Sequence, residues 1–114
     1  MSAPHATTGD VMSALEFQEE LRRVARFDSR PPVENPLAVA VQRIKDNPAL
    51  SQSRLLSRIL TALTYERGEF RRAELSAFDS PTLSIVVALM NVARAGTTVR
   101  GDWVDAVSAC DAAA

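Results

Sequence analysis

The side chains that could carry out acid–base or nucleophilic chemistry are few and lie far apart in the sequence. The one histidine, His5, has no cysteine, carboxylate or second histidine at a spacing that ligates a metal. The one cysteine, Cys110, is followed by Asp111, whose negative charge disfavours the thiolate that a nucleophilic cysteine requires. Because no histidine is placed to act as a base, we predict neither a Ser-His-Asp nor a Cys-His arrangement.

Phosphate-binding loops and paired catalytic carboxylates are not indicated either. The sequence contains neither GxxxxGK[ST] nor GxGxxG, and it has 4 glycines in total. Asp102 and Asp105 lie three residues apart, but acidic residues at the start of a helix commonly complement the positive end of the helix dipole. We therefore predict no catalytic residues, no metal, no cofactor and no small-molecule ligand, and we expect that the protein is not an enzyme.

One segment has the residue types of a nucleic-acid contact. Gln52, Arg54 and Arg58 lie near the start of a predicted helix, where amide and guanidinium groups reach base edges. The overall charge argues against a strong phosphate binder, because 13 basic residues stand against 14 acidic ones and the net charge is -1. A helix-turn-helix formed by 69–78 and 80–95 is disfavoured, since its second helix has no basic residue before Arg94. A small nucleic-acid-binding regulator that uses these three side chains is our alternative hypothesis.

The element around which the predicted fold is built is the stretch 80–96, SPTLSIVVALMNVARAG. Ser80 is the predicted cap, Pro81 suits the first helical position, and Gly96 suits the end of the helix. Its large apolar residues cover more than half of the circumference of a helix, which is typical of a buried helix. The stretch is shorter than the run of about 20 apolar residues that a bilayer requires, so we expect no membrane span.

An amphipathic helix is predicted over 10–28, with Asp10 as its cap, and it is followed by the proline-containing linker 28–35. Its apolar stripe includes Phe17, Leu21 and Val24. Two arrangements would bury this stripe: the helix packs on its own domain, or it crosses to a second copy in a symmetric dimer. We favour the homodimer, with Phe17, Leu21 and Val24 at its interface.

The helical core domain is predicted to span 36–110, after a disordered lead at 1–9. Its other helices are 36–46, 51–67 ending at Gly68, and a last helix from Trp103 to Cys110 that Asp102 caps. Over 69–78 a helical turn around RRAEL is expected, while a strand at 69–71 would have no obvious partner. The tail 111–114 is expected to fray. The sequence thus predicts an all-α fold, a compact bundle of five or six helices around 80–96.

The order of segments within 36–94 resembles a family of small uncharacterised proteobacterial proteins. The resemblance is carried by QSRLLSRILTAL (52–63), an acidic-glycine link, FRRAEL (70–75) and the long apolar helix. The family pattern is a Gln-Ser-Arg helix followed by a Phe-Asp-Leu-like turn, and this sequence departs from it at Arg71 and Arg72. The resemblance implies a compact helical domain and no particular activity.

The functional hypothesis that follows is a small non-enzymatic protein-interaction module, acting on a protein partner or by self-association. A chain of 114 residues suits one domain. With one cysteine, no intramolecular disulfide can form, and the first residues lack the basic and apolar regions of a signal peptide. We therefore expect a cytoplasmic location.

Overall fold

The computed structural model describes residues 11–25 and 33–113. This part of the chain forms five α-helices, a 3-10 helix and a two-stranded antiparallel sheet, which confirms the all-α prediction. In chain order the elements are β1 (Val11–Ser13), α1 (Ala14–Ala25), α2 (Pro36–Asp46), α3 (Ser51–Tyr65), β2 (Glu69–Arg71), the 3-10 helix (Arg72–Ser76), α4 (Ser80–Ala95) and α5 (Arg100–Ala113). The predicted lead at 1–9 and most of the linker 28–35 lie outside the described residues.

Helices α3 and α4 form the centre of the core. Helix α4 packs against α1, α2 and α3, and helix α3 packs against α2, α4 and α5. Leu56 and Leu60 of α3 meet Val86 and Leu89 of α4 in one cluster of fully buried side chains. The predicted central helix therefore belongs to the core, and it shares the central position with α3.

Side-chain caps begin α1 and α4 at positions other than those predicted. In α1, Ser13 and Glu16 form a reciprocal capping box: the Ser13 Oγ accepts from the Glu16 backbone N–H, and a Glu16 carboxylate oxygen accepts from the Ser13 N–H. The helix thus begins at Ala14, and the predicted cap Asp10 lies outside the described residues. Asp79, one residue before the predicted cap Ser80, caps α4 by accepting from the Thr82 N–H at 2.8 Å.

The segment 69–71 does form a strand, and the expectation that it would lack a partner is wrong. β2 pairs in antiparallel fashion with β1, so that Met12 lies opposite Phe70 and both side chains are buried. The sequence analysis assigns the partner residues 11–13 to a helix, and for that reason it predicts no strand pairing for 69–71. The predicted turn around RRAEL is present as the 3-10 helix that follows β2 directly.

Helix α5 is longer than predicted at both ends. It begins at Arg100, so Asp102 lies inside its first turn, and it continues to Ala113 through most of the predicted frayed tail. The Arg100 guanidinium donates to the Thr64 carbonyl oxygen at 2.8 Å and lies over the Tyr65 ring, which fastens the start of α5 to the end of α3. Trp103 and Cys110 of α5 are buried.

Two aromatic rings and one guanidinium group form a cluster that joins α1, β2 and α3, and its members are Phe17, Phe70 and Arg58. The Phe17 and Phe70 rings are stacked with centroids 4.3 Å apart, and the Arg58 guanidinium lies 4.9 Å from the Phe70 centroid. Arg58 also pairs with the Glu74 carboxylate and donates to the Glu69 carbonyl oxygen at 2.8 Å. These contacts hold β2 and the 3-10 helix against α3.

The first testable prediction concerns the core. Val86→Asp should lower the free energy of unfolding by about 4 kcal/mol or more, because it places an unpaired charge among fully buried side chains. Thermal melts followed by the fluorescence of Trp103, the one tryptophan, measure this loss. The matched variant Val99→Asp changes an exposed valine and should melt within about 0.5 kcal/mol of wild type. Equal melting temperatures of the two variants would contradict the central position of α4.

The second prediction follows from the ionisation of Glu74. Partial burial tends to raise the pKa of Glu74, but hydrogen bonds from Arg58 and from the Arg71 backbone N–H outweigh it, and the pKa lies below its ordinary value. The resulting stabilisation is present above the unfolded-state pKa of about 4.3 and is lost as the pH falls through the lower folded-state pKa.

Glu74→Gln should therefore cost about 1 kcal/mol at pH 7 and progressively less below about pH 4. Urea titrations of both proteins between pH 7 and pH 3 measure this difference. Glu69→Gln, in the neighbouring strand, is the matched control and should have little effect. A difference between wild type and Glu74→Gln that stays constant down to pH 3 would contradict the assignment.

Candidate functional site

A groove of about 790 Å³ lies between α2 and α5 and extends to the connection between α4 and α5. We call it the α2–α5 groove. Its apolar surface comes from one stripe of α2, from α5 and from two valines near the connection: Leu37, Ala38, Val41, Val92, Val99, Ala106 and Ala109. We take this apolar concavity as the candidate site.

Helical spacing and small side chains create this groove. On α5 the lining residues Asp102, Asp105, Ala106 and Ala109 follow the i, i+3, i+4, i+7 spacing that places side chains on one face. The alanines project too little to fill the space between the two helices. An adjacent face of α5 carries the buried Trp103, so the same helix packs on the core and presents a lining stripe.

The electrostatic character of the groove is acidic. Asp102 and Asp105 are exposed and belong to its lining, whereas none of the lining residues is lysine or arginine. Neutral polar groups complete the rim, among them Gln42, whose amide donates to the Asp46 carboxylate at 2.7 Å. The groove therefore combines an apolar floor with a negative rim.

Two of the three residues predicted to contact nucleic acid are bonded to other parts of the chain, so the three do not form one exposed surface. Gln52 donates to the Ala77 carbonyl oxygen and accepts from the Asp79 N–H, which fastens α3 to the segment before α4. Arg58 is engaged with Glu74 and Phe70. Arg54 alone of the three is exposed without a hydrogen bond or ion pair to the described part of the chain.

The residues predicted to form a dimer interface differ in how far they are exposed. Helix α1 packs on its own chain, which is the first of the two arrangements considered above. Phe17 and Leu21 are fully buried there, so in this arrangement they are core residues and not an exposed interface. Val24 remains 44% exposed. The physical reason is the stacking of Phe17 on Phe70, a partner that the helical stripe by itself does not reveal.

The described residues offer little for covalent or metal chemistry. Burial raises the pKa of the Cys110 thiol, the charge of Asp111 raises it further, and the side chain is 1% exposed. No group of three or more metal-ligating side chains is found within 11–25 and 33–113. Over the same residues, every helix is too short or too polar to cross a bilayer.

The sequence analysis assigns Asp102 and Asp105 to the helix dipole, whereas the structure places both in the lining of the α2–α5 groove. The i, i+4, i+7 spacing of Asp102, Ala106 and Ala109, an acidic and small-residue stripe beside the face of Trp103, is the signal that indicates this lining. The valine of the connection, Val99, gave no periodic signal because it precedes the helix.

Comparison with known proteins gives no relative from which a function could be transferred. No family model matches the sequence, and the searches of curated proteins and of solved structures find no significant match.

Proposed function

We propose that the protein is a non-enzymatic protein-interaction module whose α2–α5 groove binds a helical segment of a partner protein. The segment has an apolar face flanked by lysine or arginine. The observation that carries this proposal is the pairing of an apolar floor with a rim that holds Asp102 and Asp105 and no basic side chain.

The shape of the groove supports a helical partner over a small ligand. Small molecules usually bind in concavities that enclose most of their surface, whereas this groove is largely open. Two helices border it, and α5 with its 14 residues extends about 21 Å. An amphipathic helix can lie in such a groove with residues at i, i+3, i+4 and i+7 on the floor.

Exposed apolar surface in the groove supplies the driving force. Val99 is 69% exposed, and Leu37, Val41 and Val92 are half-buried in the unoccupied chain. Covering this surface releases water from apolar groups, which stabilises the complex by about 25 cal/mol for each Å² buried. The two carboxylates add orientation and steering, because an acidic rim attracts basic side chains and repels acidic ones.

The alternative of nucleic-acid binding has less support. Phosphate groups are repelled by the acidic rim, and Gln52 and Arg58 already have partners within the chain. Self-association through α1 would require Phe17 and Leu21 to leave the core. We therefore propose a partner of different sequence, and a cytoplasmic location in keeping with the unpaired Cys110.

The third prediction tests the chemistry of the partner with two model peptides. Both form a 15-residue amphipathic helix with leucine on one face, flanked by lysine in one peptide and by glutamate in the other. We expect the lysine peptide to shift the amide NMR signals of α2 and α5, and the glutamate peptide to leave them unchanged. Equal binding of the two peptides would contradict the role of the acidic rim.

Variants locate the binding site. Asp102→Asn with Asp105→Asn should weaken the lysine peptide about fivefold and reduce the dependence of its affinity on salt. The matched control is Glu69→Gln with Asp111→Asn, which removes two exposed carboxylates outside the groove lining. If both double variants weaken the peptide equally, the attraction comes from net charge and the α2–α5 groove is not the site.

A further inference from the structure

A second concavity brings three arginines together, away from the lining of the α2–α5 groove. This cleft of about 760 Å³ lies between α1, the end of α3, α4 and the start of α5. Arg22 comes from α1, Arg94 from α4 and Arg100 from α5. We call it the arginine cleft.

Within 11–25 and 33–113, none of the three arginines forms an ion pair. The Arg22 guanidinium donates to the Asn91 side-chain oxygen at 3.0 Å, and that of Arg100 donates to the Thr64 carbonyl oxygen at 2.8 Å. Both acceptors are uncharged. Arg94 has no hydrogen bond to a described residue. Glu19 and Glu66 also line the cleft, but within 11–25 and 33–113 neither forms an ion pair with these arginines.

Two of the positive charges, those of Arg22 and Arg94, are close enough to interact. Partial burial lowers the pKa of Arg22, and the charge of Arg94 adds to this lowering. Like charges near one another destabilise the folded chain unless an opposite charge lies between them. An anion in the cleft would remove this repulsion.

Hydrogen bonds within the chain already orient two of the arginines, Arg22 and Arg100. A guanidinium has five N–H donors, so Arg22 and Arg100 retain free donors after the single contacts that orient them. Holding two of the three side chains in place reduces the conformational entropy that a ligand must otherwise overcome.

The arginine cleft also has apolar lining residues. Leu63 and Ala93 are half-buried, Met90 is buried, and Leu15 is 66% exposed. A bare inorganic ion would leave this surface uncovered. A molecule with an anionic group and an apolar body would cover it.

We propose that the arginine cleft binds a small organic anion. Its carboxylate, sulfonate or phosphate group accepts hydrogen bonds from Arg94 and from the free donors of Arg22 and Arg100. Its apolar body packs on Leu15, Leu63 and Ala93. This site is separate from the α2–α5 groove, and the two proposals are tested independently of each other.

The fourth prediction uses two fluorescent probes with the same apolar body. 8-Anilinonaphthalene-1-sulfonate carries an anionic group, and N-phenyl-1-naphthylamine lacks it. In fluorescence titrations of the full chain, we expect the sulfonate to bind about tenfold more tightly than the neutral probe. Arg94→Gln should weaken the sulfonate about tenfold, whereas Arg54→Gln, which removes an exposed and unpaired arginine on α3, should not change its affinity.

Competition then identifies the anionic group. Octanoate and octyl phosphate are expected to displace the sulfonate probe, and octanol is not. If only one of the two anions displaces the probe, the cleft prefers the head group of that anion. Thermal melts check that Arg94→Gln is folded, as its exposed, unbonded side chain predicts. The proposal is overturned if Arg94→Gln and Arg54→Gln bind the sulfonate equally, or if the neutral probe or octanol competes as well as the anions.

Discussion

The contact on which the arrangement of the molecule depends is the stacking of Phe17 on Phe70, with Arg58 over the same ring. It joins an N-terminal helix, a short strand and a core helix that are far apart in the sequence. Because Phe17 is anchored there, α1 lies against α4, where Arg22 reaches Asn91. Undocking of α1 would therefore remove Arg22 from the arginine cleft.

Two surfaces of opposite charge meet at the connection between α4 and α5. Val92 faces the α2–α5 groove, whereas the next two residues, Ala93 and Arg94, line the arginine cleft. The same division continues in α5, where Arg100 belongs to the cleft and Asp102 to the groove. A net charge of -1 does not show this local difference, in which three arginines line the cleft and two aspartates line the groove. Composition therefore excluded a strongly basic protein but could not reveal a local arginine cluster.

Much of the fold could be predicted from local signals, and the remainder depends on distant partners. Pro81 and Gly96 mark α4 because they act on the backbone within one helical turn. The Ser13–Glu16 capping box was equally local and would have placed the start of α1 correctly. The pairing of Met12 with Phe70 was not accessible in this way, since three-residue strands carry almost no periodic signal. Gln52 and Arg58 have the residue types of a nucleic-acid contact, yet their partners lie in a segment 11 to 27 residues further along the chain.

The short sheet also joins distant parts of the chain at an entropic cost. Pairing Ser13 with Glu69 closes a loop of about 56 residues, and this entropic cost is met before the strands return any hydrogen bonds. Helices α2 to α5 pack on one another, with α5 against both α2 and α3, while α1 contacts α4, the two strands and the 3-10 helix. We therefore expect β1 and α1 to open at a lower free energy than the other helices. Since Arg22 belongs to α1, the cleft is complete only while α1 is docked, and an anion bound there would oppose the release of the segment 11–25.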